Sequence, residues 1–473
     1  MPRREKEKTT AGKSAPKTTL RTKSGPSAQD GSPSSIQKAS HRKKTASAGE
    51  AGRSGAARPG TRTVKPSVEL SAPAAVVSRR ACDRLRMGHV WVYQSDLEQV
   101  VAPLDDSGLL PVLDNRGIPM GTALYSPSSQ IALRLISREI LEDAQWLMLL
   151  RERLRIALFR RKPILARHDT DACRLVFSEA DALPGLIIDK YGDLVILQLL
   201  TRGMDRAEVR AAIVEVLREE LAPVTILERP DARIRELEEL GAPSAEPLFS
   251  EDLRHPLSAT LFHLNGLRFH YDSNSGQKTG AFLDQRQNYV AAAAHARGEA
   301  LDVCCYQGGF ALHLARVCSR VTGVDASRNA LEVAEQNLQL NRELAEAGSV
   351  DWIEANAFDL LRDWSTAGPA YDTIVLDPPA FAKSKRAVEG AVRGYKELNL
   401  RAMKMLRPGG TLVTCSCSHH VSGEEFTAVV AAAAGDAGRR VRLIERRGAS
   451  EDHPVQLTIP ETEYLKCLIC EVE

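Results

Sequence analysis

The sequence predicts an α/β fold: a doubly wound parallel sheet preceded by a small β-barrel-type domain and a small central α/β domain. Three observations predict it. From about residue 280, strand-length apolar runs alternate with longer helical segments, the pattern of βαβ units in a parallel sheet. Between 68 and 138 there are only short strand-like runs broken by turn residues. Between these regions a helical stretch leads into a compact mixture of both. With 473 residues, the chain is long enough for two or three domains.

Residues 1–66 carry 16 Lys+Arg against 4 Asp+Glu, a net of +12, whereas the rest carries 47 against 57, a net of −10. This tail is rich in Ser, Thr, Ala, Gly and Pro, and its few large apolar residues include Leu20, Ile36 and Val64. It buries too little surface to offset its ordering entropy and is expected to be disordered. Three uses stay open: a solubilising linker, a cationic arm that speeds encounter with RNA, or a transit peptide. The Arg- and Ser-rich, acid-poor composition fits the last, but the missing periodic apolar face opposes it. No secretory core or bilayer-length apolar run is present, so no membrane partner is expected. The nine cysteines are odd in number and lie mostly in apolar runs. A reducing, cytoplasmic setting suits them better than a disulfide framework.

The elements follow in order. In 67–140, strands are expected at 68–70, 89–93, 109–113 and 130–134, with Asp114-Asn115-Arg116-Gly117 as a hairpin turn. The central region, 141–265, opens with a basic helix at 141–165 whose arginines read as a solvated face. Strands at 174–177, 186–189, 194–197 and 224–228 follow, with an amphipathic helix at 205–221. Asn265-Gly266 between His263-Leu264 and Leu267-Arg268-Phe269 is a two-residue hairpin signal. The last domain, 266–473, has strands at 299–305, 321–326, 350–356, 371–377, 410–417, 440–446 and 464–472, the final two forming an antiparallel edge.

Ligands of open parallel sheets gather at the strand ends, and the chemistry-bearing residues fall there. Asp302 ends the first strand of the last domain, and Tyr306 and Gly308-Gly309 follow in the turn, where glycine lets backbone approach a ligand closely. The spacing is not that of a dinucleotide fold. Asp325 ends the next strand, placed to bind ribose hydroxyls or else to cap the helix from about Arg328. Asn356 ends the third, facing an adenine edge or serving as a turn residue. Just upstream, Gln277 and Arg286 are placed to cover the ligand, Arg286 by pairing a carboxylate. Asp377 ends the fourth strand before Pro378-Pro379, a rigid turn. Phe381 either stacks on a substrate base or belongs to the core. Cys417 ends the adjacent strand.

Together these describe an S-adenosylmethionine (SAM) site with a cysteine beside it. Carbon 5 of cytosine attacks a sulfonium methyl group poorly until a thiolate adds at carbon 6. Asp377 suits support at ring nitrogen 3, and Cys417 suits the thiolate. Cys415, two residues earlier, points to the same face. A zinc reading of Cys415, Cys417, Cys467 and Cys470 is disfavoured, because both pairs lie inside strands without the turns that present such ligands. No metal is expected.

At these residues the chain resembles the bacterial large-subunit rRNA cytosine-C5 methyltransferase family. The resemblance covers about 68–473. It rests on Gly121–Ser126, Gly185–Asp193, Gly276–Gly280, Leu283–Arg286, Asp377–Phe381, Arg393–Asn399, Ser416–Ser418, Asp452-His453-Pro454 and Tyr464-Leu465-Lys466. It implies a PUA domain for RNA binding, a central α/β domain and a Rossmann-like class I methyltransferase domain using SAM. It implies that Cys417 is the nucleophile, since the family's cysteine lies between two serines in this strand. Asp302, Asp325, Asn356 and Asp377 match its cofactor and substrate positions; Tyr306, Gly308, Gln277 and Arg286 are further cofactor-binding candidates, and Pro378 and Phe381 substrate-binding ones. It implies large-subunit rRNA as partner; a homodimer is carried as an expectation. Cys415 and Cys467 depart from the family pattern. Two other readings remain: a guanine methyltransferase that does without Cys417, and a non-catalytic RNA-binding assembly factor.

Overall fold

The computed structural model describes residues 70–473, apart from 103–107, 230, 244, 275–280, 343–348 and 383. The basic tail, Gln277 and all but the last residue of the strand expected at 68–70 lie outside the described residues; Leu70 is not in a strand. The described residues fall in one compact unit, Pro66–Glu473.

The first sheet has six strands: β1 (Ala74–Val77), β2 (Trp91–Tyr93), β3 (Leu97–Val101), β4 (Leu109–Leu113), β5 (Pro119–Tyr125) and β6 (Ile131–Ser137), in the order β2-β6-β5-β4-β1-β3. The Asp114 turn joins β4 to β5 as expected, with the Asp114 carboxylate accepting from the Arg116 and Ile118 amides. A helix, α1 (Arg79–Arg86), has no counterpart among the expected elements. Its buried stripe of Ala81, Cys82 and Leu85 is short and embedded in arginines, so helical periodicity is faint; Ser78 caps it by accepting from the Ala81 amide.

Helix α2 (Asp143–Leu165) matches the expected basic helix, but its arginines are not simply solvated. Arg151 and Arg155 pair with Glu215 and Glu219. Arg153 donates to the carbonyls of Ile136 and Ala182. Arg161 is buried and makes a bidentate pair with Asp181 at 2.7 Å. The second sheet holds β7 (Ala172–Phe177), β8 (Leu186–Tyr191), β9 (Leu194–Leu199), β10 (Thr225–Glu228) and β11 (Phe249–Ser250), and helix α3 (Ala207–Leu221) packs against α2.

The hairpin β12 (Ala259–Leu264) and β13 (Leu267–Asp272) turns at Asn265-Gly266, both with positive φ, as a two-residue hairpin requires. The boundary expected between 265 and 266 therefore cuts a hairpin in half. Phe262, Leu264, Leu267, Phe269 and Tyr271 share one core with Tyr191 and Leu194 on one side and Leu283, Phe310 and Val375 on the other. The hairpin is the joint between the second sheet and the last domain.

That last domain carries α5 (Arg286–His295), preceded by the short α4 (Ala232–Leu237) of the central region, then β14 (Glu299–Val303), α6 (Gly309–Leu314), β15 (Arg320–Asp325), α7 (Arg328–Leu340), β16 (Ser349–Glu354) and α8 (Ala357–Ala367). It continues with β17 (Tyr371–Leu376), α9 (Val388–Met405), β18 (Leu406–Ser416), α10 (Gly423–Ala437), β19 (Val441–Arg447) and β20 (Lys466–Val472). The order β16-β15-β14-β17-β18-β20-β19 is parallel up to β18, and β20 runs antiparallel to both its neighbours. Strand order reverses between β14 and β17. The crevice over their C-terminal ends is where such a sheet binds its ligand.

Candidate active site

The turn from β14 into α6 is bent by left-handed residues: Cys304 (φ 64°), Tyr306 (φ 50°) and Gly308 (φ 86°). Non-glycine residues in this region are uncommon and concentrate at ligand sites. The Tyr306 amide donates to Asp325 at 2.9 Å, tying this turn to the end of β15. Asp325 also accepts from the Ser327 amide, and Ser327, rather than Asp325, caps α7. The helix-cap alternative for Asp325 is thereby corrected. A Cβ at Gly308 would stand 3.0 Å from the Trp352 ring.

Asp302 lies under this turn and is fully buried. One carboxyl oxygen accepts from the Ala311 amide at 2.8 Å, and the other has no protein partner. Burial and then the nearby Asp377 push its pKa well above the carboxylate range. An orphaned carboxyl oxygen, a concave left-handed turn and a glycine that a side chain would fill fit a ligand bearing hydroxyls and a positive charge, as SAM does.

Asn356 sits two residues beyond the end of β16. Its side-chain oxygen caps α8, accepting from Phe358 at 2.9 Å and Asp359 at 3.3 Å. The turn-residue alternative describes its oxygen. Arg286 points inward: it is fully buried and pairs with Asp452 at 3.1 Å, while its Nε and Nη1 have no hydrogen-bond partner.

Asp377 and Cys417 come together. The Cys417 thiol stands 3.9 Å from the Pro378 carbonyl oxygen, inside the Asp377-Pro378-Pro379 turn. Asp377 takes a hydrogen bond from Gln285 at 3.0 Å. Burial, with the Asp284 carboxylate behind it, raises its pKa to about 7, and the Gln285 bond works against that rise. Phe381 is half-buried against Tyr395 and Phe358, with ring centroids 4.8 and 5.7 Å away. Tyr395 reaches Ser418, next to Cys417, at 2.9 Å.

Cys415 is buried opposite Cys467 on the neighbouring strand. Cys467 shares its core with Cys415, whereas Cys470 packs on the other face of the sheet. The four thiols therefore do not converge as a tetrahedral metal site requires.

Sequence reading misses Gln285, Asp284, Tyr464 and Lys466 as site residues. Tyr464 donates to Asp284 at 2.6 Å, and Lys466 donates to the Ser418 carbonyl at 2.7 Å. Only Leu283–Arg286 and Tyr464–Lys466, singled out as motif segments, point toward them.

Comparison with known proteins gives this geometry a context. Residues 246–456 match the family model of S-adenosylmethionine-dependent methyltransferases, and residues 76–138 match that of PUA-like domains. A methyltransferase solved with S-adenosylhomocysteine bound shares the fold at a TM-score of 0.70 and 20% identity, over 84% of this chain and 100% of that one. A SAM-dependent methyltransferase from Streptococcus mutans gives 0.70 and 19%, with the same coverage. Fold and site together define a SAM-dependent methyltransferase with a PUA-like domain.

The ribosomal RNA large subunit methyltransferase I of Photobacterium profundum is 36% identical over 395 residues, 82% of this chain and 96% of the relative. That of Klebsiella pneumoniae is 34% identical over 405 residues, 85% and 98% respectively. The chain belongs to the ribosomal RNA large subunit methyltransferase I family. Among the described residues, no helix is long and apolar enough to cross a membrane.

Proposed function

We propose that this protein methylates carbon 5 of a cytosine in large-subunit rRNA, in the cytoplasm, with Cys417 as nucleophile and Asp377 as its acidic partner. The observation that carries the reading is the 3.9 Å contact between the Cys417 thiol and the Pro378 carbonyl. It sets the thiol against the turn that follows Asp377, whose pKa is raised to about 7, and this supports the pairing of the two. The names of the relatives supply the rRNA substrate, and the PUA-like domain fits an RNA grip.

The Cys417 thiolate adds to carbon 6 of the ring, and the electron pair of the 5,6 double bond shifts toward carbon 5 and the conjugated ring. Asp377, whose raised pKa of about 7 leaves a protonated fraction at neutrality, donates to ring nitrogen 3 in that form and stabilises the charge that develops there. When bound, SAM would supply the electrophilic methyl group for carbon 5, with S-adenosylhomocysteine as the leaving group. The carbon 5 proton then passes to solvent, its C–H electron pair re-forms the 5,6 double bond, and the carbon 6–sulfur bond breaks to release the Cys417 thiolate. Tyr306, Gly308, Asp302 and Asp325 would hold the cofactor through the turn at the end of β14, with the Asn356 amide nitrogen at its rim.

The test is labelled SAM with unmodified large-subunit rRNA, the labelled nucleoside being identified by mass spectrometry, with Cys417→Ala alongside. The expected product is 5-methylcytosine, lost in the variant. Label in guanosine that is indifferent to Cys417 would replace this reading with a guanine methyltransferase. No label in any nucleoside would favour a non-catalytic assembly factor.

A further inference from the structure

We propose that Lys466 is the fixed cation that keeps Cys417 in its thiolate form. Lys466 opens β20 directly opposite Ser416, the last residue of β18, and its ammonium reaches past the strand end to Ser418, the residue after Cys417. It is 8% exposed, and its ammonium donates to the carbonyls of Ser418 (2.7 Å) and Tyr464 (2.8 Å). Its aliphatic stem runs past Gly423, where a Cβ would come within 3.8 Å of Lys466 Cγ.

Two neutral carbonyls do not neutralise a buried ammonium, and a buried charge without a counter-ion is costly. Among the described residues Lys466 makes no ion pair with a carboxylate. Glu425 and Glu463 influence it, but both are exposed and further off. The nearby group that can become an anion is Cys417. The groups around Cys417 include the Pro378 carbonyl, Tyr395, Tyr464 and Lys466, with His419 two residues on in the chain and its ring 5.4 Å from that of Tyr464. Asp377, on the same turn as Pro378, has its pKa raised to about 7 by burial and the Asp284 carboxylate, which reduces the negative charge it carries near the thiol. Burial lowers the Lys466 pKa to about 8, and Cys417 is the strongest influence holding it up. Lys466 is therefore a cation at neutral pH.

The ammonium bonds the carbonyl of Ser418, the residue that follows Cys417, and an opposite charge within about 4–6 Å favours the ionised form of a thiol by about 1–3 pKa units. The thiol proton leaves to solvent and Lys466 keeps all of its own, so no separate base is needed to arm the nucleophile. Lys466 acts through Cys417 and is a positioning residue. The inference deepens the cytosine reading and rests on it for its purpose, yet thiol acidity can be measured without RNA or methyl transfer.

The experiment follows alkylation of Cys417 by iodoacetamide against pH in the full chain, quantified by peptide mass spectrometry, in wild type, Lys466→Met and Lys466→Arg. S-adenosylhomocysteine binding serves as the folding control. The wild-type thiol should titrate clearly below the ordinary value of about 8.5. Lys466→Met should move that midpoint up by at least about one unit, lowering the alkylation rate at neutral pH roughly tenfold. Lys466→Arg, which keeps the charge, should restore most of it. An unchanged midpoint in a Lys466→Met protein that binds S-adenosylhomocysteine overturns the proposal. So does a wild-type midpoint at or above the ordinary thiol value, a result that stands even if Lys466→Met does not fold. Methylation that survives Cys417→Ala would sink the cytosine reading while leaving the alkylation curves as measured.

Discussion

The Gln285 amide donates to the Asp377 carboxyl across 3.0 Å, and Asn288, donating to the other end of the same amide, fixes which way it points. This bond opposes the burial that raises Asp377 to about 7. The protonated acid is the working form in the proposed reaction, so kcat/KM should fall as pH rises through about 7. Gln285→Leu should move that alkaline limb upward by roughly one unit, and Asp377→Asn should remove it. A limb unchanged in both variants would assign it to another group.

Asp452 anchors a buried network. Burial disfavours its charge, but His453, Arg286 and the Arg174 amide overcome that and hold its pKa well below the carboxylate range. A depressed folded pKa stabilises the protein above the unfolded value, about 3.9, and that contribution is lost as pH falls. Asp452→Asn should cost about 3–5 kcal/mol near neutrality by stranding buried Arg286, with the deficit shrinking in acid. Urea midpoints at neutral and acidic pH measure both.

Among the nine cysteines, only Cys304 and Cys417 are less than fully buried. Burial, with Asp325, Asp377 and Asp302 nearby, pushes the Cys304 thiol far up. Limited alkylation of the native protein should therefore label Cys417 first, which peptide mapping would show. Equal labelling of Cys415 or Cys467 would mean that the β18–β20 edge opens in solution.

Gly308→Ala should weaken S-adenosylhomocysteine binding by about fivefold to thirtyfold, equivalent to ~1–2 kcal/mol. The new methyl group meets Trp352 at 3.0 Å from a backbone held at φ 86°. Calorimetric titration of the variant is the check, and unaltered affinity would show that the turn relaxes freely.

Much of the fold is legible in the sequence because apolar runs and turn chemistry repeat on a short scale. The strands of the last sheet lie within a few residues of their expected places, and Asn265-Gly266 forms its hairpin. Helix α1 is hidden because four arginines surround its three buried residues. Position at strand ends points to Cys417 and Asp377. Gln285, Tyr464 and Lys466 are not legible as partners, since each meets its partner across a long stretch of chain. The Gln285–Asp377 bond spans 92 positions, the Tyr464–Asp284 bond 180 and the Lys466–Ser418 bond 48. Arg286 illustrates the converse, a charge whose partner, Asp452, lies 166 residues on and draws it inward.

Helix α2 reaches β6 and the segments that flank the second and last sheets. Arg153 holds carbonyls of Ile136 in β6 and of Ala182 beside the second sheet, and Arg161 grips both Asp181 and the Asp452 carbonyl of the last domain. One rigid rod, about 34 Å long at 1.5 Å per residue, thus fastens all three parts. Loosening either arginine would therefore be felt in more than one part of the chain at once.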